Sequence, residues 1–241
     1  MKKVYICICI LLAFFIFSPA ALAAVHTGFS TEPLSAADTA TFLRSVKLTP
    51  LSEEPKRRPI ACFDASDERI AIGCGDSGNK TVCVYTTEGV FQYGWRFPCS
   101  GSFGVELDGE NLILYFARSD VAASVNPTGT IESLAKIQNT IDNNAYWNHH
   151  VHAITREVGD IRYTLKNNLG FFGLFASTYS QLTATGPDGE ERVLYDVRAE
   201  QLAKSAAVFV LIAVLVAVAV VVIVKEFGKL KRRESAIENC N

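Results

Sequence analysis

Between Ile60 and Phe97 the chain reads IACFDASDERIAIGCGDSGNKTVCVYTTEGVFQYGWRF, and this stretch decides the fold. Four runs rich in β-branched, aromatic and cysteine residues stand out: Ile60 to Asp64, Arg69 to Gly73, Lys80 to Thr86 and Val90 to Phe97. Asp, Ser, Gly, Asn and Glu separate them at hairpin-length intervals. Strands joined by links this short run antiparallel to their neighbours, so the stretch predicts a four-stranded meander.

The pattern recurs downstream. Asp67-Glu68-Arg69-Ile70-Ala71-Ile72 is answered by Gly109-Glu110-Asn111-Leu112-Ile113-Leu114. Val84 to Phe91, turning at Glu88-Gly89, is answered by Ser124 to Ile131, turning at Thr128-Gly129. The offset is about 40 residues, the size of one propeller blade. A third, more diverged unit runs through Val151 to Glu157, a Gly159-Asp160 turn, Ile161 to Lys166, Ser180 to Thr185, an Asp188-Gly189 turn and Arg192 to Asp196. Glycine at matching turns supplies the positive φ that a tight strand-to-strand connection needs.

This spacing resembles β-propeller repeats over Ile60 to Asp196. The chain as a whole is similar to uncharacterised bacterial membrane-anchored proteins with a blade-type exported domain. The resemblance implies a mainly β fold of three repeated four-stranded antiparallel meanders over residues 60–197. Known propellers close with four or more blades, so three imply an open or incomplete ring. An open stack of sheets, a sandwich-like domain and a ring completed by oligomerisation all fit that count. No WD, kelch or NHL signature names a subfamily.

The two ends place this body at a membrane. From Ala206 to Val224 the chain carries no charge and is nearly all Val, Ala, Ile and Leu, and Lys225, Lys229, Lys231, Arg232 and Arg233 follow. About 19 residues of helix cover the hydrocarbon core, so residues 206–224 are expected to contact the lipid bilayer as a C-terminal transmembrane helix. The basic tail, residues 225–241, is expected in the cytoplasm and the bulk of the chain outside it. At the other end, Lys2 and Lys3 precede an apolar stretch from Val4 to Phe17, a Ser18-Pro19 break and Ala21-Leu22-Ala23. These are the parts of a signal peptide over residues 1–23; an uncleaved N-terminal anchor helix is the competing reading. Residues 24–59, with Pro33, Pro50 and Pro55, read as a linker holding one short helix from Ala36 to Arg44. Ser45 to Leu48 would suit an edge strand on the first or last sheet.

Net charge is −2; the N-terminal Lys pair and the tail each contribute +2, which leaves −6 on residues 4–224. A mildly acidic body without basic clusters is a poor binder of nucleic acid, so the expected partners are the bilayer and another protein.

Four of the seven cysteines fall in the body: Cys62, Cys74, Cys83 and Cys99. An even number outside the cytoplasm suits disulfide bonding, with free buried thiols as the alternative. If Gly78-Asn79 forms a two-residue hairpin loop, Cys74 faces Cys83 within disulfide range. No CxxC pair is present, which argues against structural zinc.

Trp147-Asn148-His149-His150-Val151-His152 holds three of the four histidines. On a strand, His150 and His152 share a face and would offer two imidazoles to a transition metal; a polar strand edge and a pH-responsive surface are the alternatives. Gly73-Cys74-Gly75-Asp76-Ser77-Gly78 matches G-x-G-x-x-G, but the β-branched run after it points to a hairpin. Asp64, Asp67, Glu68, Asp108, Glu110 and Asp120 read as turn chemistry. Phe91, Tyr93, Trp95 and Phe97 alternate and so fill one face of the fourth strand, while Phe171 to Phe175 reads as a strand or buried loop.

No GxSxG, HExxH or cofactor signature occurs. The leading expectation is a non-enzymatic, membrane-anchored binding or scaffold protein without cofactor. The rivals are a metal-assisted envelope hydrolase built on His149, His150 and His152, and an accessory subunit of a membrane transport or signalling complex.

Overall fold

The structure, a computed structural model, describes residues 25–75, 78–175 and 178–238. The signal or anchor segment lies outside the described residues. In chain order the elements begin with β1 (Thr31–Pro33), α1 (Ala36–Ser45) and β2 (Thr49–Pro50). The first meander is β3 (Ile60–Ala65), β4 (Arg69–Gly75), β5 (Asn79–Thr86) and β6 (Phe91–Pro98). The second is β7 (Phe103–Asp108), β8 (Asn111–Phe116), β9 (Val121–Val125) and β10 (Ile131–Ile137). A short helix, α2 (Ile141–Tyr146), and a π-helical turn (Trp147–Val151) lead to the third, β11 (Thr155–Val158), β12 (Ile161–Lys166), β13 (Gln181–Thr185) and β14 (Glu191–Asp196). A long helix, α3 (Arg198–Glu238), follows.

Each meander forms its own antiparallel sheet, and the connection between its third and fourth strands is built the same way three times. Thr86 N donates to the Val90 carbonyl and Gly89 N to the Thr86 carbonyl, at 2.8 and 2.9 Å. Asn126, Thr130 and Gly129 repeat this at 3.0 and 2.9 Å, and Gly186, Glu190 and Gly189 at 3.1 and 3.0 Å. Gly89, Gly129 and Gly189 have φ of 85°, 87° and 80°, a left-handed conformation that a Cβ penalises. The glycine spacing in the sequence therefore marks one recurring turn.

Residues 24–59 do more than link. The Ala36 helix forms, capped by Ser35, whose Oγ accepts from Asp38 N at 3.1 Å. β1 pairs with β10 and β2 with β6, so the segment adds a fifth strand to each of two sheets. The edge strand expected at Ser45 to Leu48 lies at Thr49–Pro50, on the first sheet. A strand ending in proline suits an outer edge, where one N–H is not needed for a ladder.

The three sheets pack face to face with the first meander in the middle, and among the described residues they form no closed barrel or propeller. One apolar layer joins Ala71, Val82, Val84, Trp95 and Phe97 of the first sheet to Val105, Leu112, Leu114 and Phe116 of the second. Another joins Phe63, Ile70, Ile72 and Tyr85 of the first to Tyr163, Leu165, Leu182 and Tyr195 of the third. Successive residues of β4 point alternately into the two layers, so it is buried almost throughout. A row of blades in sequence order would put the second unit in the middle, whereas the apolar layers put the first there. A smaller layer of Val25, Phe29, Tyr146, Trp147 and Val151 covers Ile113 and Tyr115 on the far side of the second sheet.

Tyr93, Trp95 and Phe97 pack in the layer toward the second sheet as expected, but Phe91 does not. A bulge between Val84 and Tyr85 pairs Tyr85 with Phe91, which turns Phe91 into the layer facing the third sheet.

Within α3, Arg198–Val220 is long and apolar enough to cross a membrane, and its most apolar 18-residue window contains no buried residue.

Candidate functional site

The polar side chains worth attention gather where β3 lies against both β7 and β11. Asp64, on β3, is 6% exposed. Its carboxylate accepts from the Leu107 backbone N–H on β7 at 2.8 Å and from Arg156 Nε on β11 at 2.8 Å. The Arg156 guanidinium also donates to the carbonyl of His150 and lies over the Phe63 ring, 5.8 Å from its centroid. One ion pair thus touches all three sheets and the π-helical turn, and Asp64 is not the turn cap its sequence position suggests.

Arg69 provides a second pin. Nearly buried, it donates to the carbonyls of Gly109 and Glu110 at the β7–β8 turn and to Tyr93 Oη at 3.1 Å. Charged donors aimed at carbonyls of the neighbouring sheet fix how the first and second sheets register.

Beside Asp64 sits a carboxylate of a different kind. Glu106 on β7 accepts from the hydroxyls of Tyr115 and Tyr146, the latter at 2.9 Å, and lies 3.6 Å from His150 Nε2. Tyr115 Oη is 2.5 Å from Thr27 Oγ1. The His150 ring stacks on Tyr146 with centroids 4.6 Å apart. Burial, reinforced by the Glu106 charge, pushes both phenols well above their ordinary pKa, so they remain donors to the carboxylate.

Local sequence explains the placement. Thr140 caps α2 by accepting from Asn143 N at 3.1 Å, and the Asn143 side chain exchanges hydrogen bonds with the Ser30 backbone at 2.9 Å. The π-helical turn then rests on Gly104, where an added Cβ would lie 2.1 Å from Val151 Cγ1. Outside the cluster is an open groove of about 430 Å³ lined by Ser30, Asp142, Asn143, Tyr146, His149 and His150. The phenols and the imidazole already surround Glu106, so the cluster supports the groove wall, and Asp142, His149 and Ser30 also line the groove.

The histidines are not arranged as a strand would arrange them. His149 and His150 lie in the π-helical turn and His152 caps it, so His150 turns to Glu106 while His152 packs on Trp147, with ring centroids 4.8 Å apart. His152 Nε2 is buried without a hydrogen-bond partner. Desolvation, followed by the Arg156 charge, lowers its pKa. Among the described residues, no three His, Cys, Asp or Glu side chains converge as metal ligands.

Cys62, Cys74, Cys83 and Cys99 are buried free thiols. The first-sheet register pairs Cys74 with Thr81 and Cys83 with Ile72. The connection after Gly75 is longer than two residues, which slides the pairing by two positions and makes the cysteines diagonal neighbours on one face. Both line a cavity of about 70 Å³ with Tyr85 and Tyr195. Cys74 Sγ lies 3.4 Å from the Arg58 carbonyl and 3.6 Å from Tyr195 Oη. The G-x-G-x-x-G stretch leads from β4 into β5, a strand where a dinucleotide fold needs a helix.

Glu106, Tyr115, Tyr146 and Arg156 are the residues sequence reasoning missed. Glu106 carried a signal, a lone charge interrupting the apolar run Phe103-Gly104-Val105-Glu106-Leu107. No protein-family model matches the chain, and no curated protein or solved structure gives a significant match.

Proposed function

We propose that the chain is a membrane-anchored, extracytoplasmic binding or scaffold protein, held by a single helix and presenting the three-sheet stack to a protein partner. In this reading the basic tail is cytoplasmic, and the first 23 residues serve as the export signal. The observation that carries it is the junction between body and helix. A single residue, Val197, separates β14 from α3, and it is buried, with its N–H donating to the Ser180 carbonyl at 2.9 Å. Gln201 in the first helical turn is buried too, donating to Thr178 Oγ1 at 3.4 Å, and Glu200 pairs with Lys56 at 3.0 Å.

A body gripping its own helix without a flexible linker keeps a set orientation to the bilayer. The internal pins at Asp64, Arg69 and Glu106 make that body a rigid platform whose loops and groove are its variable surface. The histidine geometry favours this over a metal-assisted hydrolase, since His150 and His152 face different neighbours.

The test uses the full chain in intact cells. A reporter fused after Asn241 is expected to work only in the cytoplasm, and in-membrane cross-linking followed by purification is expected to retain a protein bound through the sheet body. A reporter active only outside, or a chain recovered uncross-linked at every body position, overturns the proposal.

A further inference from the structure

The segment Gly170–Phe175 is neither a strand nor a buried loop. It is a 3-10 turn that follows the third sheet's β12 and leans on the apolar part of α3. Phe171 is 60% exposed, and its ring lies 6.3 Å from that of Phe209; the Phe172 ring lies 5.9 Å from the same residue. Phe209 belongs to the stretch long and apolar enough to span a membrane, and it too is exposed.

We propose that this aromatic turn is a second membrane contact, dipping Phe171 and Phe172 into the outer leaflet beside the helix. The inference rests on the reading of α3 as a span. Residue 209 lies three positions past Ala206, where the uncharged run begins, which at 1.5 Å per residue is roughly 4 to 5 Å into the apolar layer. The rings of Phe171 and Phe172, 6.3 and 5.9 Å from that of Phe209, lie beside the same boundary of the apolar layer. Phenylalanine lacks the polar tip that keeps Tyr and Trp at headgroup level, so these rings suit the acyl region just below it.

The polar groups sit on the water side of the apolar layer. Lys56, Arg57, Asn168, Arg198 and Glu200 line an open groove of about 580 Å³ around the start of α3, about eleven residues or roughly 16 Å above Phe209. The surface therefore passes from charged to aromatic in the direction in which the helix passes from charged to apolar. A lipid bilayer is the occupant that matches both gradients at once. Two contacts, one helix and one turn, fix the tilt of the stack as well as its height.

The test places p-benzoyl-phenylalanine singly at positions 171, 209 and 193 of the full chain, reconstituted in vesicles of phosphatidylethanolamine and phosphatidylglycerol, and reads lipid adducts by mass spectrometry after irradiation. Val193, exposed on β14, is the control within the body. Positions 171 and 209 are expected to form lipid adducts at about tenfold or more above position 193. Adducts at 209 with none above control at 171 overturn the aromatic contact while leaving the span intact. Absence of adducts at both overturns the span and the contact together, and protein adducts at 171 in place of lipid would mark the turn as a protein interface.

Discussion

Asp64 and Arg156 are 92 positions apart in the chain, and their side chains meet at 2.8 Å between the first and third sheets, nearly out of reach of water. Removing one partner of such a pair strands the other charge in a poorly solvated place. Asp64→Ala or Arg156→Ala should each destabilise by about 3 to 5 kcal/mol. Urea unfolding of the detergent-solubilised chain measures it, and the double variant should lose clearly less than the two single losses combined.

The repeated turns separate backbone strain from packing. Gly189 has open space where a Cβ would go, whereas a Cβ on Gly129 would lie 2.6 Å from Trp95 Nε1. Gly189→Ala should therefore cost about 1 to 2 kcal/mol for the left-handed conformation alone, and Gly129→Ala measurably more. Equal losses in thermal melts would mean that Trp95 yields freely.

Glu106 is acceptor to two phenols. Tyr146→Phe removes one hydrogen bond and should cost about 1 kcal/mol, while Glu106→Ala leaves the buried Tyr115 and half-buried Tyr146 hydroxyls without this acceptor and should cost about 2 to 3 kcal/mol. The ordering of the two, read from unfolding midpoints, is the decisive result.

His152 is held neutral in the folded state, with its pKa below the ordinary value of 6.5. Its unfolded form binds a proton where the folded form does not, so its contribution is complete above about pH 6.5 and is lost as pH falls below that value. His152→Gln should flatten this part of the stability profile. An unchanged slope between wild type and variant would show that other groups set it.

Burial pushes the thiols of Cys74 and Cys83 up to about 12. The reactive thiolate is then scarce at neutral pH, and neither residue should be alkylated in the native chain over hours, while both should react on unfolding. Peptide mass mapping distinguishes them from the remaining cysteines.

The strands and their turns were legible because both signals are local: runs of β-branched and aromatic residues mark β3 to β6, and glycine marks each recurring turn. The order of the sheets was not, since a meander's sequence records which strand follows which and not what covers its faces. Two small insertions also escaped notice. The longer link after Gly75 moved Cys83 off Cys74, and the bulge beside Tyr85 turned Phe91 over. The Glu106 cluster was hidden for another reason: its members lie on β7, β8 and α2 and in the N-terminal segment, and no spacing rule connects them.

Placing the first meander in the middle of the stack has a consequence for biosynthesis. The ribosome completes that sheet while neither of its neighbours has been made, so Ile70 and Ile72 on one side and Trp95 and Phe97 on the other wait uncovered. The second meander closes one side, and the last, synthesised just ahead of the apolar helix, closes the other. Maturation of this protein is thus a race between enclosing a sheet that is sticky on both sides and losing it to aggregation.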